Sequence, residues 1–377
     1  MFRFRVMRAI DIGRLLVLAS AIALLSLAPA ASQTSRSQAA STGIALHGKL
    51  GDRAAWRSYK ARFVTEQGRV VDTANGEISH SEGQGYGMLL AVAADDRVAF
   101  ERIWGWTRAN LFVRDDQLAA WRWEPNRRPA VADMNNATDG DLLIAWALTE
   151  AGEVWPDGGY RLAARRVAVE IGRKLILLGT SNGSLLLPGM SGFSADDRPD
   201  GPILNLSYYV FPALQRLPLV APEFDWTALA RAGLKLIDKA KFGKVRLPSD
   251  WVSLKDGTPQ PADGFPGEFS YNALRVPLYL AWAGFDQPRH HAEYLNVWRG
   301  GENRTVALVE LAGGTVSKRL SEPGYQALPA LSACASSGTP WPRSLMNPQA
   351  TENYYPATLH LLALIAVRMR YPSCLPN

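Results

Sequence analysis

Cysteine is scarce in this chain of 377 residues: only Cys334 and Cys374 occur. Two thiols so far apart, without a CxxC or clustered histidines, do not make a metal site. In an oxidising compartment they can pair and tether the C-terminal tail, and spacing alone leaves a disulfide and two buried thiols equally open. Histidine is thin as well. His47, His80, His290, His291 and His360 lie near no GxSxG, so Ser-His-Asp hydrolysis has no support. No Lys/Arg-rich block is interleaved with aromatics, and nucleic acid is not an expected partner. Beyond residue 31 no apolar run is long enough to span a bilayer. Period-two alternation and β-branched runs are also sparse, which argues against a fold built on sheets.

What is present begins at the N-terminus. Arg3, Arg5, Arg8 and Arg14 flank the apolar run 15–28, which is too short to cross a bilayer comfortably. Ala28-Pro29-Ala30 then has the small-x-small form of a cleavage site. Residues 1–31 read as a secretory signal peptide, with an uncleaved N-terminal anchor as the alternative. The mature protein is expected to be soluble, and secreted or periplasmic. Losing four arginines and one aspartate lowers the net charge from +6 to +3. Residues 32–43, rich in Ser, Ala and Gln, form a polar lead-in expected to be disordered.

Residues 44–377 read as a single domain, with no linker-like boundary and no internal repeat. Helical patterning covers 54–64, 88–94, 100–112, 142–151, 160–178, 205–217, 226–241, 271–283, 291–300, 302–311, 325–335 and 354–371. Loops rich in Pro and Gly separate many of these segments. About twelve helices and few strand patterns predict an all-α fold.

Two acidic motifs stand out. Ser79-His80-Ser81-Glu82-Gly83-Gln84-Gly85-Tyr86-Gly87-Met88 holds one acid among small residues, and glycines permit close approach of backbone and ligand. These surroundings suit a proton donor. The plainer reading is a capping box, with Ser79 as the cap and Glu82 three residues on. A phosphate loop fits poorly, because there is no second GxxG, no GK[ST] and no preceding strand. His80 can line the cleft beside Glu82 or lie on the surface. About fifty residues on, Asp139 and Asp141 open the apolar run 142–148. Acids at a helix N-terminus stay ionised cheaply, so one of the pair is expected to cap while the other faces the cleft. Between the motifs Trp104, Trp106, Trp121 and Trp123 crowd together. Indole faces suit stacking on sugar rings, although core packing is the commoner fate of a tryptophan. Trp121 and Trp123, in an expected loop, are the best candidates for a sugar surface.

At these residues the chain resembles the family 8 glycoside hydrolases, and in particular the periplasmic endoglucanases associated with bacterial cellulose synthesis. Ser81–Met88 and Ala137-Thr138-Asp139-Gly140-Asp141-Leu142 carry the match, with Ser249-Asp250-Trp251. Phe269–Val276 and Tyr354-Tyr355-Pro356 match more loosely. The resemblance implies an (α/α)6 toroid and inverting hydrolysis of β-1,4-glucan without a metal or organic cofactor. Glu82 would protonate the glycosidic oxygen, and Asp139 would be the second active-site carboxylate. Tyr86, Asp141, Tyr208 and Asp250 are further candidate sugar contacts, as are Trp251, Tyr271, Asn272 and Arg275. The expected partners are a β-1,4-glucan chain and the cellulose synthase machinery.

One position departs from the family pattern. Asn272 stands where many members carry the aspartate that activates water, and a neutral amide cannot take a proton at neutral pH. Asp139, Asp141, Glu268 and Asp263 are the candidate substitutes, with Asp139 favoured. Hydrolysis of xylan, mixed-linkage glucan or chitosan is the neighbouring expectation. Non-catalytic glucan binding during export is the expectation from a different class, and a helical solute-binding or structural protein rests on export and helicity alone.

Overall fold

The computed structural model describes residues 46–51, 53–155, 158–299 and 305–376. The signal peptide and polar lead-in expected at 1–31 and 32–43 lie outside the described residues. Eleven α-helices occur among those described: α1 Arg53–Phe63, α2 Ser81–Ala93, α3 Arg97–Asn110, α4 Thr138–Val154, α5 Gly158–Lys174, α6 Phe211–Arg216, α7 Trp226–Lys239, α8 Val276–Ala283, α9 Ala292–Arg299, α10 Pro323–Ser337 and α11 Tyr354–Arg370.

Two kinds of helix alternate along the chain. Helices α2, α4, α6, α8 and α11 are buried along nearly their whole length and apolar on every side, the mark of helices with no solvent face. They contact one another in the closed order α2, α4, α6, α8, α11 and back to α2. Helices α3, α5 and α7 are amphipathic and pack outside them. In α7, Trp226, Leu229, Gly233, Leu236 and Ile237 recur at helical spacing on the buried side, and the Asp225 carboxylate caps the first turn by accepting from Ala228 N–H at 2.8 Å. The fold is an (α/α)6 toroid.

Tight approach between inner helices needs small residues. A Cβ on Gly85 would stand 2.6 Å from Leu143 Cβ of α4, and one on Gly87 would stand 2.7 Å from Val70 Cγ2. Trp146 of α4 and Trp282 of α8 meet edge to face at 5.0 Å in the core. Each such buried side chain contributes roughly 1.5–3 kcal/mol of apolar burial. Glu150 of α4 and Arg216 of α6 form a buried ion pair, with Trp146 Nε1 donating to the same carboxylate at 3.1 Å.

One helix expected from the sequence is a strand. The described part of 302–311 contains β4 (Val306–Glu310), which pairs antiparallel with β5 (Thr315–Leu320) and with β3 (Glu268–Phe269). A short apolar run cannot be assigned by periodicity, and here Val306 and Val309 suit a strand whose return begins at Gly314 with φ +74°. The hairpin occupies the place in the alternation between α9 and α10, and it brings β5 to the mouth of the cleft. A smaller departure is that 205–217 divides into a 3₁₀ turn (Leu206–Tyr208) and α6. Of the two readings open for the cysteines, the disulfide is the one present: Cys334 pairs with Cys374 and ties α10 to the chain end.

Candidate active site

Residue 79 begins the site with β1 (Ser79–His80), a two-residue strand that pairs with β2 (Arg122–Trp123), Ser79 opposite Trp123 and His80 opposite Arg122. A short strand thus precedes the glycine run, where none was expected. Ser79 is no helix cap, since its hydroxyl donates to Val70 O at 2.6 Å. His80 is the N-cap of α2, and its Nδ1 accepts from Gly83 N–H at 2.9 Å. The capping-box reading of Glu82 therefore fails, and its carboxyl is turned toward the cleft.

Gln84 explains much of the motif. Buried completely, it accepts from Val70 N–H at 2.6 Å and donates to Thr107 Oγ1 at 2.7 Å, fastening α2 to α3 and to the preceding loop. The glycines serve helix packing here, where a close approach to ligand was expected.

Glu82, Asp139 and Arg275 meet at one point. Arg275 Nη1 donates to Glu82 Oε1 and, at 2.9 Å, to Asp139 Oδ2, while Nη2 donates to Ser207 Oγ and Asn272 Oδ1, each at 2.9 Å. Arg275 is 2 % exposed and Asp139 1 %. Burial, with the neighbouring Glu82 charge, pushes the Asp139 carboxyl up to about 6, against the pull of Arg275 and of Gly140 N–H. Between its carboxylates the Arg275 guanidinium is held well above its ordinary pKa, although burial opposes this.

Asp141 plays a different part from Asp139. Neither caps α4, whose N-cap is Ala137. Asp141 is buried and accepts from Ala119 N–H and from the Asn136 amide, both at 2.8 Å, so it staples the preceding loop to α4 and has no face on the cleft. Burial raises its carboxyl to about 7, offset in part by those two donors. Asp250 is likewise withdrawn: it accepts from the backbone N–H groups of Ser270, Asn272 and Ala273 and braces the turn that carries Asn272 and Arg275. Burial raises its pKa. Tyr86 is buried against Tyr279, with hydroxyls 2.6 Å apart, and Trp123 packs edge-on to Trp106 beneath Arg69. Tyr86, Trp123, Asp141 and Asp250, expected as sugar contacts, are not among the residues that line the cleft. Glu268, on β3, and Asp263 are also absent from the cleft lining.

The remaining candidates converge. Glu82, Trp121, Asp139, Tyr208, Trp251, Tyr271, Asn272 and Arg275 line a cleft of about 860 Å³. Trp251 stacks on Phe265 at 4.7 Å and on Phe193 at 5.5 Å, forming a rigid aromatic wall. Tyr271, 38 % exposed, accepts from Lys318 Nζ at 3.0 Å through its hydroxyl, and its carbonyl accepts from Tyr355 at 2.7 Å. Asp72, Lys318, Glu322 and Tyr355 also line the cleft and were not singled out as site residues from the sequence. Asp72 and Glu322 lie in stretches without a motif, and Lys318 belongs to the unforeseen hairpin. Only Tyr355 carried a signal, next to Tyr354 and Pro356. Among the described residues no three His, Cys, Asp or Glu side chains converge as a metal centre.

Known proteins resemble this chain in sequence and in fold. The chain is 38 % identical over 314 residues to a probable endoglucanase of Novacetimonas hansenii, covering 82 % of this chain and 89 % of the relative. It is 39 % identical over 259 residues to an endoglucanase of Cellulomonas uda, covering 68 % and 70 %. An endoglucanase of Klebsiella pneumoniae, described as a family 8 glycosyl hydrolase, superposes with a TM-score of 0.76 at 35 % identity over 84 % of this chain and 99 % of that one. An endo-β-1,4-glucanase of Acetobacter xylinum superposes with a TM-score of 0.75 at 37 % identity over 85 % and 98 %. Residues 29–368 match the model for glycosyl hydrolases family 8. The chain belongs to that family and is a glycoside hydrolase.

Proposed function

We propose that this chain is an endo-β-1,4-glucanase that cuts cellulose or a related β-glucan, with Glu82 as the general acid. The observation that carries this reading is the meeting of Glu82 and Asp139 on Arg275 inside a cleft walled by Trp121, Trp251 and Tyr271. Aromatic faces suit the flat, alternately apolar and hydroxylated surface of a glucan. The relatives named above are endoglucanases, which supports the substrate class.

Asp139 fits the role of sugar anchor better than that of water-activating base. Two oxygens that accept from one nitrogen lie no more than about 6 Å apart. An inverting pair needs ~6.5–9.5 Å to admit a water. Inversion therefore rests on the family resemblance, and the anomer released first tests it. The α-anomer supports inversion, whereas the β-anomer would make Asp139 a nucleophile.

Export and work beside cellulose synthase complete the reading, on the strength of the leader-like N-terminus and the resemblance. Among the described residues no helix is long and apolar enough to cross a membrane. A second reading, glucan binding without cleavage, is favoured by Asn272 in the place of the usual base. Reducing-end release from carboxymethylcellulose by the wild type and by Glu82→Gln separates the two. Loss of about 10²–10⁴ in kcat with an unchanged circular dichroism spectrum fits an acid catalyst. Equal activity in both proteins removes Glu82 from that role, and no activity in either favours the binder.

A further inference from the structure

His80 stands between two carboxylates. Its Nδ1 lies 4.0 Å from Glu82 Oε2, and its Nε2 lies 3.7 Å from Asp72 Oδ2. The same Nδ1 accepts from Gly83 N–H at 2.9 Å. A backbone N–H cannot move its proton, so this contact requires a bare Nδ1 and puts the imidazole hydrogen on Nε2, toward Asp72. Both His80 and Asp72 line the cleft, with side chains only 16 % and 13 % exposed. Tyr354 closes the far side: its ring stands edge-on to the imidazole at 6.0 Å, and its buried hydroxyl has no hydrogen-bond partner among the described residues. A Cβ on Gly83 would come within 2.7 Å of that hydroxyl and 3.1 Å of the imidazole, so this end of α2 has no slack.

We propose that His80, with its tautomer set by Gly83 N–H and its Nε2 hydrogen turned toward Asp72, is a positioning residue for Glu82: the neutral imidazole caps α2 and holds the Glu82 carboxyl against the cleft. This inference rests on the reading of Glu82 as the acid. A second proton on Nδ1 would oppose the Gly83 N–H, withdraw the cap and put a cation beside Glu82. The groups that face His80 decide when this happens. Asp72 approaches from the 72–78 turn, Glu82 from α2, Asp139 from α4 and the Tyr354 ring from α11, while Arg122 on the paired strand is engaged with Glu124. Burial lowers the imidazole pKa, but Asp72, Glu82 and Asp139 outweigh it and the net direction is upward. Protonation of His80 then sets the acid limb of the pH–rate profile, with activity lost as pH falls through its raised pKa.

The test compares His80→Ala, His80→Asn and Asp72→Asn. His80→Ala removes the cap and should lower kcat by about tenfold to a hundredfold, with a smaller change in KM. His80→Asn restores a non-titrating cap, so it should recover most of that loss and carry its acid limb to lower pH. Asp72→Asn removes a carboxylate from the imidazole and should shift the acid limb the same way. An acid limb that stays in place in both asparagine variants overturns the proposal. Nitrogen-15 NMR of the histidine ring reads the tautomer without activity: a bare Nδ1 and protonated Nε2 at alkaline pH is expected, and the opposite tautomer overturns the proposal. If Glu82→Gln proves fully active while the tautomer is as expected, the failure belongs to the acid assignment and not to the cap.

Discussion

Arg275 Nη2 donates to Asn272 Oδ1 at 2.9 Å, so the amide oxygen in the place of the usual base is turned to a cation. The other end of that amide, Nδ2, donates to Asp250 at 3.3 Å. Asn272 is thereby fixed at both ends and contributes no proton acceptor to the cleft wall.

Asn272→Asp follows as a gain-of-function test. A carboxylate of the same size would keep the Arg275 contact as a charge-assisted hydrogen bond and add an acceptor for a water proton. Its contact to Asp250 would turn repulsive, so some loss of stability is expected with the gain. The expected outcome is a rise of about 10²-fold in kcat on cello-oligosaccharides near neutral pH, within the usual range for a general base. An unchanged or lower rate would mean that water is activated from another wall.

Arg275 is the residue whose loss should be felt in both stability and activity. It is buried, and its removal leaves Glu82 and Asp139 facing each other without a counter-charge. Arg275→Met is expected to cost about 3–5 kcal/mol, the range for breaking a buried pair by removing one partner. Urea denaturation measures this, and a midpoint equal to the wild type's would refute it. Arg275→Lys keeps the charge but not the planar fork that reaches Ser207 and Asn272 together, so it should recover stability better than turnover.

Stability should fall as pH rises from about 4 to 7, and Asp141 is the residue to vary. Its carboxyl is raised in the folded chain to about 7 from an ordinary 3.8, because burial disfavours the charge. The folded chain therefore holds this proton more tightly than the unfolded one. The contribution is fully present below about pH 4 and is lost on approach to pH 7, amounting to no more than about 4 kcal/mol at 1.36 kcal/mol per unit. Asp139 acts with the same sign. Asp141→Asn should flatten the slope of melting temperature against pH between 4 and 7, and a slope identical to the wild type's would count against this account.

Much of the fold was legible because inner helices announce themselves by being apolar all round, as in 142–148 and 354–367. The hairpin at 306–320 was not, since Val306–Val309 is too short for periodicity to separate strand from helix. At the site, composition found the two acids but could not assign their neighbours. Asp139 and Asp141 differ in role because Ala119 N–H and Asn136 reach one and Arg275 reaches the other, contacts made across 22, 5 and 136 residues. The glycines looked like places for close approach to a ligand, and together with Gln84 they turned out to pack α2 into the toroid. His80 was visible only as a neighbour of Glu82, and its cap and its pairing with Asp72 needed the folded turn.

The disulfide between Cys334 and Cys374 closes a loop of 40 residues. In the chain-entropy account, a loop of that length restricts the unfolded ensemble by about 4 kcal/mol. Trp341 N–H also donates to Cys374 O at 2.7 Å, so the segment is held by the backbone as well as by sulfur. Neither cysteine lines the cleft. The double variant Cys334→Ser/Cys374→Ser should therefore lower the urea midpoint by the equivalent of several kcal/mol while kcat at 25 °C stays near the wild type's. Reducing agent should act on the wild type and leave the variant unaffected. Equal midpoints with and without reductant in the wild type would show that the backbone contacts alone hold the tail.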